Sequence, residues 1–224
     1  MALTALNSFV IDDSLHTRLP DVSIGLILAS VSVAPSPPEL LELLEELSRM
    51  IRAKISAEQL PEIDQLAAAR RAYRILGKDP SRYRGAAEAL VRRLISGKPL
   101  YKINNVVEIN NLVSLQCLHP VASYDVERID GEVRFRLGHR SESYKGIGKE
   151  VINTEDLPVF ADTLGAFGSP TSDSERTMIR SNTSMIVNAI MSFMGPAHLE
   201  VHIESASTLL KAYAGASIIE ARIC

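Results

Sequence analysis

The chain has 224 residues, 24 of them basic and 27 acidic, for a formal net charge of −3. That length suits one compact domain, residues 1–224, burying its own core, and that charge removes the simple electrostatic case for duplex DNA or a membrane surface. Two cysteines, Cys117 and Cys224, have neither metal-ligand spacing nor the pattern of a disulfide scaffold, so a cytoplasmic protein without metal or cofactor is expected.

The N-terminal MALTALNSFVIDD lacks a basic stretch and a long apolar core, and so does not read as a signal peptide. No apolar run reaches the roughly 18 residues of a membrane span. Ser8 to Ile11 reads as a short strand with a turn at Asp12 and Asp13, and Val22 to Val33 as a buried central strand. Pro35 to Pro38 interrupts the chain before a helix from Glu39 to Ala53, whose Leu40, Leu43, Leu44, Leu47 and Ile51 keep a helical period. Two more helices are expected, Pro61 to Leu76 and about Arg82 to Ile95, completing a helical part over about residues 35–98. Their surface carries Arg70, Arg71, Arg74, Arg92 and Arg93, which reads either as a solvated helix face or as a shelf for a phosphate backbone.

The next part, about residues 100–180, has the composition of a site. Val106 to Leu118 is predicted helical, and Glu132 to Leu137 alternates as a half-exposed strand. Short strands are expected near Val121 to Tyr124, Ser143 to Gly146 and Leu157 to Phe160, with strand character at Thr177 to Ile179 and Ser184 to Phe193. A last helix, Ala197 to Ala214, and a last strand, Ala216 to Ile223, close an α+β order of mixed or antiparallel sheet with helices. His198 and His202 fall i, i+4 on that helix without a third ligand, so no metal site is assigned.

Two stretches stand out. In Ile103 to Leu112, Asn104 or Asn105 suits a helix cap, whereas Asn110 and Asn111 lie inside the apolar run and must find partners or meet a ligand. In Ala161 to Thr177, Gly165 and Gly168 permit close backbone approach, and the following hydroxyls suit a carboxylate, ribose or phosphate. An ordinary surface loop has the same composition. No serine elbow, Walker loop or dinucleotide fingerprint is present, and Ser172 and Ser174 lack an identifiable base.

Together, Leu100 to Leu115, Pro120 to Asp125 and Pro158 to Asp162 resemble the third and fourth domains of the bacterial phenylalanyl-tRNA synthetase beta subunit. The resemblance is dense over about residues 80 to 180. It places Asn104, Asn105, Glu108 and Asn111 on that family's asparagine helix, Tyr124 and Asp125 on its aromatic–acid pair, and Asp162 at its strand end. The loop Gly165, Phe167, Gly168, Ser169, Pro170, Thr171, Ser172, Asp173 and Arg176 is similar to free-standing relatives of that region. Two features depart from the synthetase pattern: Ala122 occupies the position of a histidine, and Gly165 to Pro170 replaces a glycine-rich loop.

The resemblance implies a metal-independent site that hydrolyses mischarged aminoacyl-tRNA, with translation fidelity as its role; the basic helical shelf would then set Arg92 and Arg93 toward the tRNA backbone. Such a second site is needed because an apolar pocket rejects an added hydroxyl only weakly. The alternative is a non-catalytic module that keeps the pocket for an amino acid or nucleotide. A hydrolase of small amides or esters fits the same residue types.

Overall fold

The computed structural model describes residues 6–148 and 150–224. The first five residues of the segment read above for a signal peptide lie outside that range, and so does that part of the domain expectation. The chain opens with β1 (Phe9–Ile11), α1 (Asp13–Arg18) and β2 (Ser23–Ser30). Helices α2 (Pro38–Lys54), α3 (Asp64–Ile75), α4 (Ala86–Ile95) and α5 (Asn105–Cys117) follow. Then come β3 (Val121–Asp125), β4 (Val133–Leu137), β5 (Ser143–Lys145), β6 (Val151–Asn153), β7 (Pro158–Asp162), β8 (Gly165–Gly168) and β9 (Met185–Ser192). Helix α6 (Leu199–Ala214) and β10 (Ser217–Ile223) complete an α+β fold.

The strands form an antiparallel sheet in the order β10-β2-β9-β3, a mixed sheet in the order β1-β4-β7-β8, and a β5-β6 pair. In the mixed sheet β1 runs parallel to β4, and the other pairs are antiparallel. Strand β2 is covered on both faces, which explains its continuous apolar sequence. Its Ile24, Leu26 and Leu28 enter a core shared with Phe135, Phe160 and Phe167 of the mixed sheet. Its Ile27 and Ala29 enter a second core beneath α2, α4, α5 and α6. A third cluster, with Tyr144, Val159 and Ala166, lies on the other face of the mixed sheet. The molecule is therefore stacked as helices, sheet, sheet and hairpin. The fully buried aromatic side chains between the sheets contribute about 1.5–3 kcal/mol each through burial.

Helix α5 is the hub of the helical layer, touching α2, α4, α6 and β3. That explains why it is apolar on almost every side, with Val106, Ile109, Leu112, Val113 and Leu115 all buried. It ends where Leu118 turns left-handed at φ 57°.

Several expectations need correction. The Asp12–Asp13 segment is not a turn but the start of α1, because Asp12 accepts the Ser14 N–H at 3.0 Å and caps it. The second helix starts at Asp64 after a short 3-10 turn at Leu60–Glu62. The third starts at Ala86 rather than Arg82, since Asp79 closes only a local turn onto Ser81. Thr177 to Ile179 forms no strand. His198 is not inside the last helix but caps it with a left-handed backbone at φ 68°, its carbonyl accepting the His202 N–H at 3.1 Å. Strands β6 and β8 were not anticipated.

Candidate functional site

The start of α5 is held by its own asparagines. Asn104 accepts the Val107 N–H at 3.0 Å as the N-cap. The Asn105 side chain, buried, accepts from Ala34 N–H and donates to the carbonyls of Ser32 and Tyr213. Glu108, also buried, accepts from the Ser36 hydroxyl and from the Ile103 N–H at 2.7 Å. These three side chains fasten the helix to its surroundings. The helix then presents Val107, Asn110 and Asn111, which are i, i+3 and i+4, to a cavity of about 700 Å³.

That cavity lies inside the size range of small-molecule sites. Its second wall is the i, i+3, i+4, i+7 stripe of α4, namely Ala86, Ala89, Leu90 and Arg93. Its third is the segment Ser169, Pro170, Thr171, Ser172 and Asp173, and Val121, Ala122 and Ser123 of β3 contribute as well. The asparagine helix and the serine–proline loop thus line one cavity. Asn104, Asn105, Glu108, Tyr124, Asp162, Gly165, Phe167, Gly168 and Arg176 are not among its lining residues.

The latter group shapes the loop from outside. Arg176 makes a two-pronged pair with Asp162 at 2.7 and 2.9 Å, and reaches the Gly165 carbonyl at 3.0 Å. Gly165 itself takes φ +105°, which allows the β7–β8 turn. Phe167 is fully buried against Tyr124, ring centroids 5.0 Å apart and edge-on. Gly168 leaves room for Tyr124, whose hydroxyl would lie 2.3 Å from an added Cβ.

Buried tyrosines brace the loop from behind. The Tyr124 hydroxyl donates to Asp173 at 2.8 Å, Tyr73 bonds the Thr171 hydroxyl at 2.5 Å, and Tyr144 donates to the Ser172 carbonyl and the Ser169 hydroxyl. Ser169 Oγ spends its own proton on the Ser172 carbonyl at 2.8 Å and accepts the Thr171 and Ser172 N–H groups. It is therefore a turn-forming hydroxyl. Burial pushes the pKa of all three phenols up and so suppresses their ionisation, and the Asp173 charge adds to that effect at Tyr124 and Tyr144. They remain donors or neutral partners at ordinary pH.

Among the described residues, the charged side chains lining the cavity are Asp173 on the loop and Arg93 on α4. Arg93 stacks on the exposed Tyr101 ring, 3.9 Å from its centroid, and bonds the Pro99 carbonyl at 2.6 Å. Arg92, its neighbour, is committed elsewhere: it pairs with buried Glu88 at 2.7 Å, which Arg70 also holds at 2.8 Å. Deeper in, Asn110 Oδ1 accepts from Ser123 Oγ and from Asn188 Nδ2, each at 2.9 Å, and Asn188 also donates to Ser123 at 3.0 Å. Asn188 belongs to the site's support but was not singled out from the sequence. An asparagine in the otherwise apolar run Met185–Met191 was the available signal.

No histidine lines the cavity among the described residues. His119 sits one element away, edge-on to His202 with ring centroids 5.8 Å apart, and burial followed by the His202 charge lowers its pKa to about 4. Among the described residues no group of three or more His, Cys, Asp or Glu could hold a metal ion, and no helix is long and apolar enough to cross a membrane.

A layered α+β domain with a cavity between a helix pair and a sheet-end loop is the class of protein that these features define. The chain belongs to the B3/4 domain family, whose model matches residues 68–215 and so contains every residue lining the cavity. Among solved structures, the chain is similar to an N-terminal fragment of the phenylalanyl-tRNA synthetase beta subunit from Pyrococcus horikoshii, at 11% identity and a TM-score of 0.47. That likeness covers 94% of this chain and 49% of the other, so the chain spans about half the length of that fragment. No curated protein matches the sequence.

Proposed function

We propose that the protein acts on aminoacyl-tRNA, binding the aminoacyl ester end in the cavity and hydrolysing it. The observation that carries this reading is the 700 Å³ cavity inside the B3/4 region, a largely apolar space with Asn110, Asn111, Ser123, Asp173 and Arg93 among its lining residues. Arg93 is the cation suited to a phosphate of the acceptor end, and Tyr101 beside it offers an aromatic face to a base. Arg92, engaged by Glu88, contributes to that surface only through its partly exposed side chain. Asp173 is the lining carboxylate able to take a proton from an attacking water, and Asn111 is an amide available to the ester oxygen. No metal or cofactor is required.

Incubation with a panel of mischarged tRNAs tests the reading. Deacylation above the spontaneous rate is expected for at least one member, with Asp173→Asn lowering that rate at least about hundredfold. Binding of tRNA should weaken with salt and on Arg93→Glu. Absence of both deacylation and tRNA binding would reject the proposal.

A second reading, a binding module without hydrolysis, is favoured by one feature: Ala122 places a methyl group where the synthetase pattern has histidine. Tight binding of non-hydrolysable aminoacyl-adenosine with no turnover of any ester would select it. A cytoplasmic location and a single domain over residues 1–224 accord with either reading.

A further inference from the structure

The Asn110–Ser123–Asn188 cluster bears on what the cavity selects. It is held together by three mutual hydrogen bonds of 2.9 to 3.0 Å and contains no charge. Two members, Asn110 and Ser123, line the cavity, and the third lies behind them, 1% exposed. The bonding leaves a specific remainder. Asn110 uses only its Oδ1, so its Nδ2 group takes no part in the cluster. Ser123 has given its proton to Asn110 and accepted from Asn188, keeping one lone pair. Asn188 Oδ1 is buried with no partner. At the cavity wall the cluster therefore offers one donor, the Asn110 amide, beside one acceptor, the remaining Ser123 lone pair, while Asn188 Oδ1 stays behind them.

The complement of such a pair is a group that both accepts and donates. A hydroxyl or a carboxamide does so. A carboxylate only accepts and an ammonium only donates, so each leaves half the cluster unmatched while bringing a charge into a neutral wall. An aliphatic group leaves both halves unmatched. Aliphatic contacts from Leu90, Val107 and Ile179 line the same cavity, which favours a ligand with an apolar stem and an uncharged polar end.

We infer that the cavity selects an aminoacyl group with an uncharged hydroxyl or carboxamide side chain, seated against Asn110 and Ser123. This inference rests on the aminoacyl-tRNA reading for the remainder of the ligand. Asn188 is then a positioning residue, fixing the Asn110 amide and the Ser123 hydroxyl.

The test uses amide-linked, non-hydrolysable aminoacyl-adenosines in matched pairs, with affinity read by calorimetry on the full chain. Threonine against valine and asparagine against leucine change polarity at nearly constant shape, and asparagine against aspartate changes charge alone. The threonine and asparagine compounds are expected to bind at least about tenfold tighter than each partner. Ser123→Ala and Asn110→Leu should shrink that preference to below about threefold without weakening the valine and leucine compounds. Circular dichroism and melting temperature verify that both variants fold.

Equal or tighter binding of the valine, leucine or aspartate compounds to the unaltered protein overturns the inference while leaving the aminoacyl-tRNA reading intact. Free amino-acid amides are measured in parallel. If they show the polar preference while neither the adenosine compounds nor tRNA binds, the selectivity stands and the tRNA reading falls. Silence in every series overturns both.

Discussion

Gly168 shows how a residue without a side chain supports a polar site. An alanine Cβ there would meet the Tyr124 hydroxyl at 2.3 Å and its ring at 2.6 Å, and Tyr124 is fully buried against Phe160 and Phe167. The ring has nowhere to retreat. Gly168→Ala is therefore expected to cost about 3 kcal/mol, measured by urea unfolding. Tyr124→Phe makes a useful contrast. It keeps the ring in the core and removes only the O–H that Asp173 accepts at 2.8 Å, so it should cost about 1 kcal/mol. If the two variants proved equally stable, steric exclusion at Gly168 would not be what holds the loop in place.

At the scale of elements, α4 is fixed by charge as well as by its apolar side. Glu88 is 3% exposed and faces the Arg70 and Arg92 guanidinium groups, while Ala87, Val91 and Leu94 enter the core. Glu88→Ala leaves two arginines without their common carboxylate, one of them only 14% exposed, and is expected to cost about 3 kcal/mol. Because α4 supplies a wall of the cavity, ligand affinity should fall along with thermal stability; unchanged stability would show that the pair is dispensable. The elements also show what sequence can reveal. Helix α5 was legible because its cap, its apolar period and its end are all local signals. Strand β8 was not, because Gly165–Gly168 has the composition of a turn and becomes a strand only by pairing with β7. The site divides in the same way. Asn111 and the Ser169–Asp173 segment could be picked out by composition, but the α4 stripe reaches the cavity, and Asn188 the back of its Asn110–Ser123 wall, only through tertiary packing. Asn104, Asn105 and Glu108 match the family helix yet support it from outside the cavity, a distinction that needs the positions of Ala34, Ser36 and Tyr213.

For the whole molecule, two groups in different layers predict acid unfolding in two windows. His119 has its pKa lowered from 6.5 to about 4, first by burial and then by His202. Its neutral form is the one compatible with the fold, so its contribution is complete above pH 6.5 and is lost as the pH falls toward 4. The loss is on the order of 3 kcal/mol. Glu142 behaves differently in cause but not in sign. Burial alone would raise its pKa, yet Arg136 at 2.7 and 2.8 Å and the N–H groups of His139 and Ala166 bring it down from 4.5 to about 2. Its contribution, on the order of 2 kcal/mol, is therefore present above pH 4.5 and disappears between 4.5 and 2. Urea unfolding across pH 7 to 2 should show both losses in succession. His119→Phe should flatten the upper window, leaving the smaller slope of His202, whose pKa is lowered by burial and His198. Glu142→Gln should lower stability at pH 7 and flatten only the lower window. A wild-type curve that is level from pH 6.5 to 4 would mean that His119 is hydrated in solution, opening the packing between α5, β3 and α6.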